Sequence, residues 1–157
     1  MSTKVYAKSF WLPHQRPEDC DHAAEYLALV FPATVAKALA AGLRKAKVEM
    51  HPAKNIVRAS RTTPLPKTNA KVKRDLGKIA KGKKLPPILL VRGDAARDLP
   101  LIVADGMHRL SAAWHHDEAR CPSLTLRAFV VQNRPLDDFV ACGDHSSPCC
   151  IVDRPKA

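Results

Sequence analysis

The sequence has no long apolar run and no recognisable disulfide framework. No stretch of its 157 residues approaches the roughly 20 apolar residues of a membrane-spanning helix. The N-terminal segment MSTKVYAKSF lacks the apolar core of a secretory signal. The cysteines are odd in number and have no framework spacing; they are Cys20, Cys121, Cys142, Cys149 and Cys150. We therefore expect a cytoplasmic protein with free thiols and no membrane partner.

Acidic residues are scarce in one part of the chain, residues 37–84. This segment holds 15 of the 26 lysines and arginines but only two of the 15 acids, Glu49 and Asp75. The formal net charge of +11 therefore originates here. A regional excess of positive charge is typical of a protein with an anionic partner, whereas an ordinary solvated surface mixes both signs. The segment favours an anionic partner, and a surface that only confers solubility is the alternative.

Hydrophobic spacing predicts the elements of the first half of the chain. Residues 5–12 could form a strand, and residues 17–31 and 32–46 are expected to form two helices that act as packing elements. A short strand is expected at 47–52. The prolines of NIVRASRTTPLP indicate that residues 55–66 are extended or looped.

The second half of the chain alternates between helices and strands. A helix within 67–84 is expected to start at a Thr68 or Asn69 cap and to end at Gly82. Its predicted buried stripe consists of Val72, Leu76 and Ile79. The expected elements that follow are strands at 85–93 and 99–104, a helix over 107–119 and a strand at 122–131. This alternation predicts an α/β or α+β domain with a mixed sheet.

The segment ADGMHRLSAAW, residues 104–114, has the residue types of an anion-binding turn. Gly106 allows backbone conformations that other residues resist, and the free N–H groups of the following helix favour negative charge. Arg109 offers a fork of donors that matches phosphate, and His108 can add another. Asp105 could cap the helix, orient Arg109 or hold Mg²⁺. In the competing interpretation, Asp105 caps the helix while His108 and Arg109 pair with surface acids.

Several motifs of this region occur in an ordered series. The helix NAKVKRDLGKI precedes a strand that begins with Pro-Pro-Ile, and a second strand leads to the Gly-x-His-Arg turn, a helix and a closing strand. In this series the chain resembles the ParB/sulfiredoxin superfamily over residues 47–131. The resemblance implies an α+β fold with a ParB/sulfiredoxin-like mixed sheet flanked by helices. It divides the chain into an N-terminal helical extension (1–46), a nucleotide-binding domain (47–133) and a C-terminal tail (134–157).

The resemblance also implies a nucleotide site. The residues expected to bind the phosphates are Gly106, Met107, His108, Arg109, Lys71, Arg74 and Lys78. Lys71 matches a lysine of the family, whereas Arg74 and Lys78 replace smaller hydroxyl residues. These three bases share one helix face at spacings i, i+3 and i+7, and ordinary solvent-facing bases are the alternative. Sulfiredoxins carry their attacking cysteine where this chain has Met107, so sulfinic-acid repair is not expected.

Two acids are candidates for catalysis, Glu49 and Asp105. Glu49 is the only acid between Glu25 and Asp75, and an acid from this region serves as base in the serine-kinase branch of the superfamily. A partner for nearby lysines is the alternative role of Glu49. The basic residues expected to contact DNA are Arg58, Arg61, Lys73, Lys81, Lys83 and Lys84.

Two other groups of side chains offer ligand types that zinc accepts. The first is in the tail, and the second is His115-His116 with its neighbouring acids. The tail group consists of Cys142, His145, Cys149 and Cys150. Neither group has the spacing of a known zinc finger, so no metal site is expected among them.

We therefore expect a nucleotide-binding protein that binds and hydrolyses ATP or CTP with Mg²⁺ and acts on or near DNA. Whether it also has nuclease activity is left open. Residues 134–157 are too few for the helix-turn-helix domain of segregation proteins, which favours a stand-alone module of plasmid, phage or mobile-element type. A small-molecule kinase of the free-serine-kinase type, with Glu49 as base, is one alternative. A DNA-binding or inhibitory protein without turnover is the other, so enzymatic activity is left open.

Overall fold

The computed structural model describes residues 10–120 and 125–132, and within these ranges five α-helices and four β-strands form an α+β fold. The helices are α1 (Pro17–Val30), α2 (Ala33–Lys45), α3 (Ala53–Ser60), α4 (Ala70–Ala80) and α5 (Met107–Arg120). The strands are β1 (Val48–Pro52), β2 (Ile88–Arg92), β3 (Ile102–Asp105) and β4 (Thr125–Gln132). The α+β class expected from the sequence is confirmed.

The four strands form one mixed sheet in the order β1-β4-β2-β3. Strand β4 is antiparallel to β1 and parallel to β2, and β2 and β3 form an antiparallel pair. The connection between β2 and β3 closes tightly at Gly93, where a Cβ atom would lie 2.2 Å from the carbonyl oxygen of Leu99. Because β3 is an edge strand and α5 follows it after one residue, the N-terminus of α5 lies at this edge of the sheet.

The central strand β2 separates two hydrophobic clusters. Leu89 and Val91 pack with the buried side chains of α1 and α2, whereas Ile88 and Leu90 pack with those of α3, α4 and α5. This alternation follows from the two-residue period of a strand, which points successive side chains to opposite faces. Helices α1 and α2 therefore cover one face of the sheet and the other three helices cover the opposite face. The helices of the predicted N-terminal extension share a core with the sheet.

One element differs from the sequence-based prediction. Residues 53–60 form the helix α3, although residues 55–66 were expected to be extended or looped. The helix buries Ala53, Ile56 and Ser60, which recur at spacings of three and four residues. The two prolines of the segment lie beyond the helix and restrict only the residues that precede them. The helix ends before them, at Ser60, and the following Arg61 has a left-handed backbone with φ of 53°.

The strand predicted over 5–12 lies mostly outside the described residues. Within them, Trp11 forms a parallel bridge with Leu85, and the Leu12 N–H donates to the Leu85 carbonyl oxygen at 2.7 Å. The helices of the described ranges include none with the length and apolar character needed to cross a membrane.

Candidate functional site

A cavity of about 680 Å³ lies at the β3 edge of the sheet. Helix α1 from one layer, helix α4 from the other layer, strand β3 and the turn into α5 all line it. The volume falls in the range of about 300–1,000 Å³ that is typical of small-molecule sites. The site is therefore formed by elements from both layers, which are far apart in the sequence.

The turn between β3 and α5 has the geometry expected of an anion-binding turn. Gly106 has φ of +98°, a conformation that residues with a side chain rarely adopt. Its carbonyl oxygen accepts the N–H of Leu110 at 2.8 Å, which opens the 14-residue helix α5. The first N–H groups of this helix have no partner within the helix, and the helix dipole favours an anion beside them.

The Arg109 guanidinium is held by two carboxylates. Its Nη2 lies 2.5 Å from Asp105 Oδ2, and its Nη1 lies 3.0 Å from Asp19 Oδ1 on α1. Its Nε is buried and has no hydrogen-bond partner among the described residues. A Cβ atom on Gly106 would lie 3.0 Å from Nη2, so the glycine also leaves room for the guanidinium. Of the three roles considered for Asp105, the structure shows the one that orients Arg109.

Helix α4 places the three predicted bases in the same cavity. Asn69 caps the helix, because its side-chain oxygen accepts the N–H groups of Lys71 at 3.0 Å and Val72 at 3.3 Å. The bases Lys71, Arg74 and Lys78 all line the cavity. The turn and the helix are therefore brought together as the sequence predicted.

The buried acid of α4 is a difference from the prediction. The buried residues of the helix are Val72, Asp75 and Ile79, and Leu76 is only partly buried. Asp75 is compensated by neighbouring bases, with Lys78 Nζ 3.2 Å and Arg74 Nε 3.8 Å from its Oδ1. A buried carboxylate requires such pairing, because an isolated buried charge is costly.

The lining of the cavity is rich in positive charge. It contains five lysine and arginine side chains and two carboxylates, those of Asp75 and Asp105. The five are Arg16, Lys71, Arg74, Lys78 and Arg109. Within the described ranges, Lys71 and Arg16 form no ion pair with an acid. The cavity thus carries positive charge that its own acids do not neutralise.

His108 also lines the cavity, and its surroundings disfavour the protonated imidazole. Burial and the nearby Lys71 ammonium lower the pKa of its imidazole below the usual value. Asp75 and Asp105 act in the opposite direction but do not reverse the shift. An anion bound beside His108 would favour the protonated ring, because opposite charges stabilise each other.

Met107 is oriented by the core as well as by the turn. Its side chain is partly buried against the cluster of α3, α4 and α5, and its carbonyl oxygen accepts the Ser111 hydroxyl at 2.8 Å. A phosphate contact from Met107 would therefore come from its backbone.

Helix α1 contributes residues that sequence reasoning missed. Arg16, His22 and Tyr26 line the cavity. Asp19 does not line it but contacts Arg109, which does. The spacing of these residues is the signal that was available, since positions three and four apart share a helix face. The contact between Asp19 and Arg109 joins residues 90 positions apart, which no local pattern shows.

The structure places other predicted residues elsewhere. Glu49 lies on β1, at the opposite edge of the sheet, where its Oε2 is 3.1 Å from His51 Nε2 and 3.8 Å from Arg92 Nη2. Glu49 does not line the cavity, so the kinase alternative has no base there from β1. Arg61 pairs with Asp98 at 2.5 Å. The remaining residues predicted to contact DNA are exposed; they are Arg58, Lys73, Lys81, Lys83 and Lys84.

The candidate metal ligands show no metal site in the described part of the chain. His115 Nε2 lies 2.7 Å from the Leu65 carbonyl oxygen, and His116 packs edge-on against Phe10. The described residues contain no group of three or more His, Cys, Asp or Glu side chains that could hold a metal ion. The cysteine-bearing tail lies outside the described residues.

Comparisons with protein-family models, with curated proteins and with solved structures gave no match for this chain.

Proposed function

We propose that the cavity at the β3 edge binds the phosphate groups of a nucleoside triphosphate, ATP or CTP. The observation that carries the proposal is the convergence of two predicted anion-binding elements on one cavity. Lys71 on α4 and the Gly106–Arg109 turn at the start of α5 both line it. Helix N-termini and unpaired lysines are recurrent phosphate-binding features, and the two together can contact a chain of phosphates.

In this proposal, Arg109 is a donor to the phosphates that is held in place before the ligand binds. Two of its five N–H donors are used by Asp19 and Asp105, so the guanidinium is fixed before a ligand arrives. A phosphate at the turn would add to this arrangement or compete with the carboxylates. Fixed donors reduce the entropy lost on binding, which favours affinity for a matched anion.

Magnesium enters this proposal with the nucleotide. Mg²⁺ usually keeps several waters and binds through one or two carboxylates together with substrate phosphates. The described residues fit a magnesium ion that takes only one or two protein ligands, because the carboxylates of their cavity lining are those of Asp75 and Asp105. Each of the two has one oxygen close to a base. Asp105 is the acid that would approach such an ion, because it lies at the turn. Hydrolysis of the bound nucleotide is part of the proposal, and phosphate release measured by a coupled assay tests it.

Calorimetric titration with Mg·ATP, Mg·CTP and tripolyphosphate tests the binding proposal. Lys71→Ala should weaken the binding of all three by about tenfold, which corresponds to about 1.4 kcal/mol. Lys73→Ala is the matched control, since Lys73 is an exposed lysine of the same helix that does not line the cavity. Equal effects of the two substitutions, or no binding by the unchanged protein, would refute the proposal.

We further propose that DNA binds the exposed lysines of α4 and of the segment that follows it. Lys73, Lys81, Lys83 and Lys84 are exposed, and within the described ranges none has an ion-pair partner. Contacts of this kind are steeply salt-dependent, with about 0.9 logarithmic units of slope for each phosphate neutralised. Fluorescence anisotropy over a salt series should therefore show a slope reduced by about two in the Lys83→Ala, Lys84→Ala double variant. An unchanged slope would remove these two lysines from the interface.

A further inference from the structure

Helix α1 presents a stripe of polar and aromatic side chains to the cavity. Arg16, Asp19, His22 and Tyr26 are spaced by three, three and four residues, so they share one face of the helix. Arg16, His22 and Tyr26 line the cavity, while Asp19 contacts Arg109. The buried apolar side chains Cys20, Ala23 and Leu27 pack α1 against α2 and the sheet.

The contact of Asp19 fixes the position of this stripe relative to the anion-binding turn. Asp19 Oδ1 lies 3.0 Å from Arg109 Nη1, and both side chains are nearly buried. Tyr26 follows Asp19 by seven residues, which is about 10 Å along a helix at 1.5 Å per residue. His22 lies between them on the same stripe. A ligand with its phosphates at the turn that extends along α1 would reach His22 and then Tyr26.

Tyr26 contributes a large aromatic ring to this lining. It remains 44% exposed although it lines the cavity, so much of the ring is free of protein contacts. Leu29 on the same helix is 86% exposed but does not line the cavity. An accessible aromatic ring beside a phosphate site is the usual platform for a nucleobase, because every base offers a π-face for stacking.

We propose that α1 forms the base subsite of the cavity, with Tyr26 as the residue on which the nucleobase stacks. This inference rests on the proposed binding of triphosphates at the turn and extends it from phosphate recognition to recognition of an aromatic base. The ligand class is then a nucleotide, and tripolyphosphate, which has no base, would leave the base subsite empty. Tyr26 is a specificity-determining residue on an element that the sequence indicated only as a packing helix.

Parallel titrations with ATP, CTP and tripolyphosphate on four proteins test this inference. The four are the unchanged chain, Tyr26→Ala, Tyr26→Phe and the matched control Leu29→Ala. Tyr26→Ala should weaken ATP and CTP binding by about tenfold, the range of one base–aromatic stack, and leave tripolyphosphate binding unchanged. Tyr26→Phe keeps the ring and should bind as the unchanged chain does, and Leu29→Ala should have no effect.

The outcomes separate this inference from the proposed function. If the unchanged chain binds tripolyphosphate as tightly as ATP, or if Tyr26→Ala leaves ATP binding intact, the base subsite is refuted while phosphate binding stands. Equal weakening of ATP and tripolyphosphate in Tyr26→Ala also refutes it, because the effect then does not depend on a base. Failure of the unchanged chain to bind any of the three ligands refutes the proposed function itself. Thermal melts followed by circular dichroism establish that each variant is folded.

Discussion

Replacement of Arg109 by alanine should destabilise the fold as well as alter the cavity. The Arg109 side chain is 13% exposed and the Asp19 side chain is 10% exposed, so the substitution leaves a buried carboxylate without its partner. Asp105, at the end of β3, loses its partner in the same step. Removal of one member of a buried ion pair typically costs about 3–5 kcal/mol. We expect Arg109→Ala to lower the free energy of unfolding by about this amount.

Urea unfolding followed by circular dichroism measures the effect. Arg44→Ala is the matched control, because Arg44 also pairs with an acid of α1, Asp21, but the two side chains are 48% and 62% exposed. An exposed pair of this kind contributes about 0–1 kcal/mol. A double-mutant cycle of Asp19→Ala and Arg109→Ala should show losses well below additive. If Arg109→Ala lowers the free energy of unfolding by no more than Arg44→Ala does, the contacts of Arg109 with Asp19 and Asp105 do not stabilise the fold.

Three further results are expected. Gly106→Ala should lower the free energy of unfolding by about 1–3 kcal/mol, because alanine resists φ of +98° and its Cβ would lie 3.0 Å from the Arg109 guanidinium. Gly77→Ala is the control, since nothing lies within 4 Å of its Cβ position, and it should be neutral or stabilising in the same unfolding assay. Asn69→Ala should lower stability by about 1 kcal/mol through loss of the α4 cap, whereas Thr68→Ala should not, and equal effects would contradict the assignment. The lowered pKa of His108 means that the unfolded chain binds more protons than the folded chain just below pH 6.5, so stability falls as the pH drops through this region. In His108→Gln this part of the pH dependence should be absent from urea midpoints measured between pH 5 and pH 8.

The sequence was sufficient to predict those features of the site that depend on short-range patterns. The helix cap at Thr68 or Asn69, the spacing of the three α4 bases and the glycine turn at 106 are local signals. The structure assigns the cap to Asn69 and brings the bases and the turn to one cavity. The strands β2 and β3 are likewise local, because their apolar runs are bounded by turn residues. Short-range physics determines these features, so they can be found without knowledge of the packing.

Other features depend on tertiary packing and could not be found in this way. The pairing of Asp19 with Arg109 requires α1 to lie against β3, and it gives α1 a role beyond packing. In α4, Asp75 is more buried than Leu76. The carboxylate of Asp75 can be buried because Lys78 and Arg74 compensate its charge. Helix α3 is stabilised by the packing of Ala53 and Ile56 in the hydrophobic core, although the neighbouring prolines favour a loop.

The position of Glu49 outside the cavity bears on the kinase alternative, in which Glu49 is the base. Glu49 was a candidate base because acids are scarce in residues 37–84. Its position on β1 beside His51 and Arg92 agrees with its alternative role as a partner of nearby bases, although these are not the lysines considered from the sequence. The ParB/sulfiredoxin-like fold remains a prediction, as does the nucleotide ligand, which direct binding measurements test.

Binding of phosphates in the cavity at the β3 edge can be tested by the titration of His108. The imidazole protons are followed by nuclear magnetic resonance with and without tripolyphosphate. His108 lines the cavity beside Lys71, whereas the exposed His14 lies outside it and serves as the internal control. An anion in the cavity should raise the pKa of His108 from its lowered value, while the signals of His14 should not respond to the anion. If calorimetry detects binding while the pKa of His108 does not change, the phosphates bind elsewhere and the cavity is not the nucleotide site.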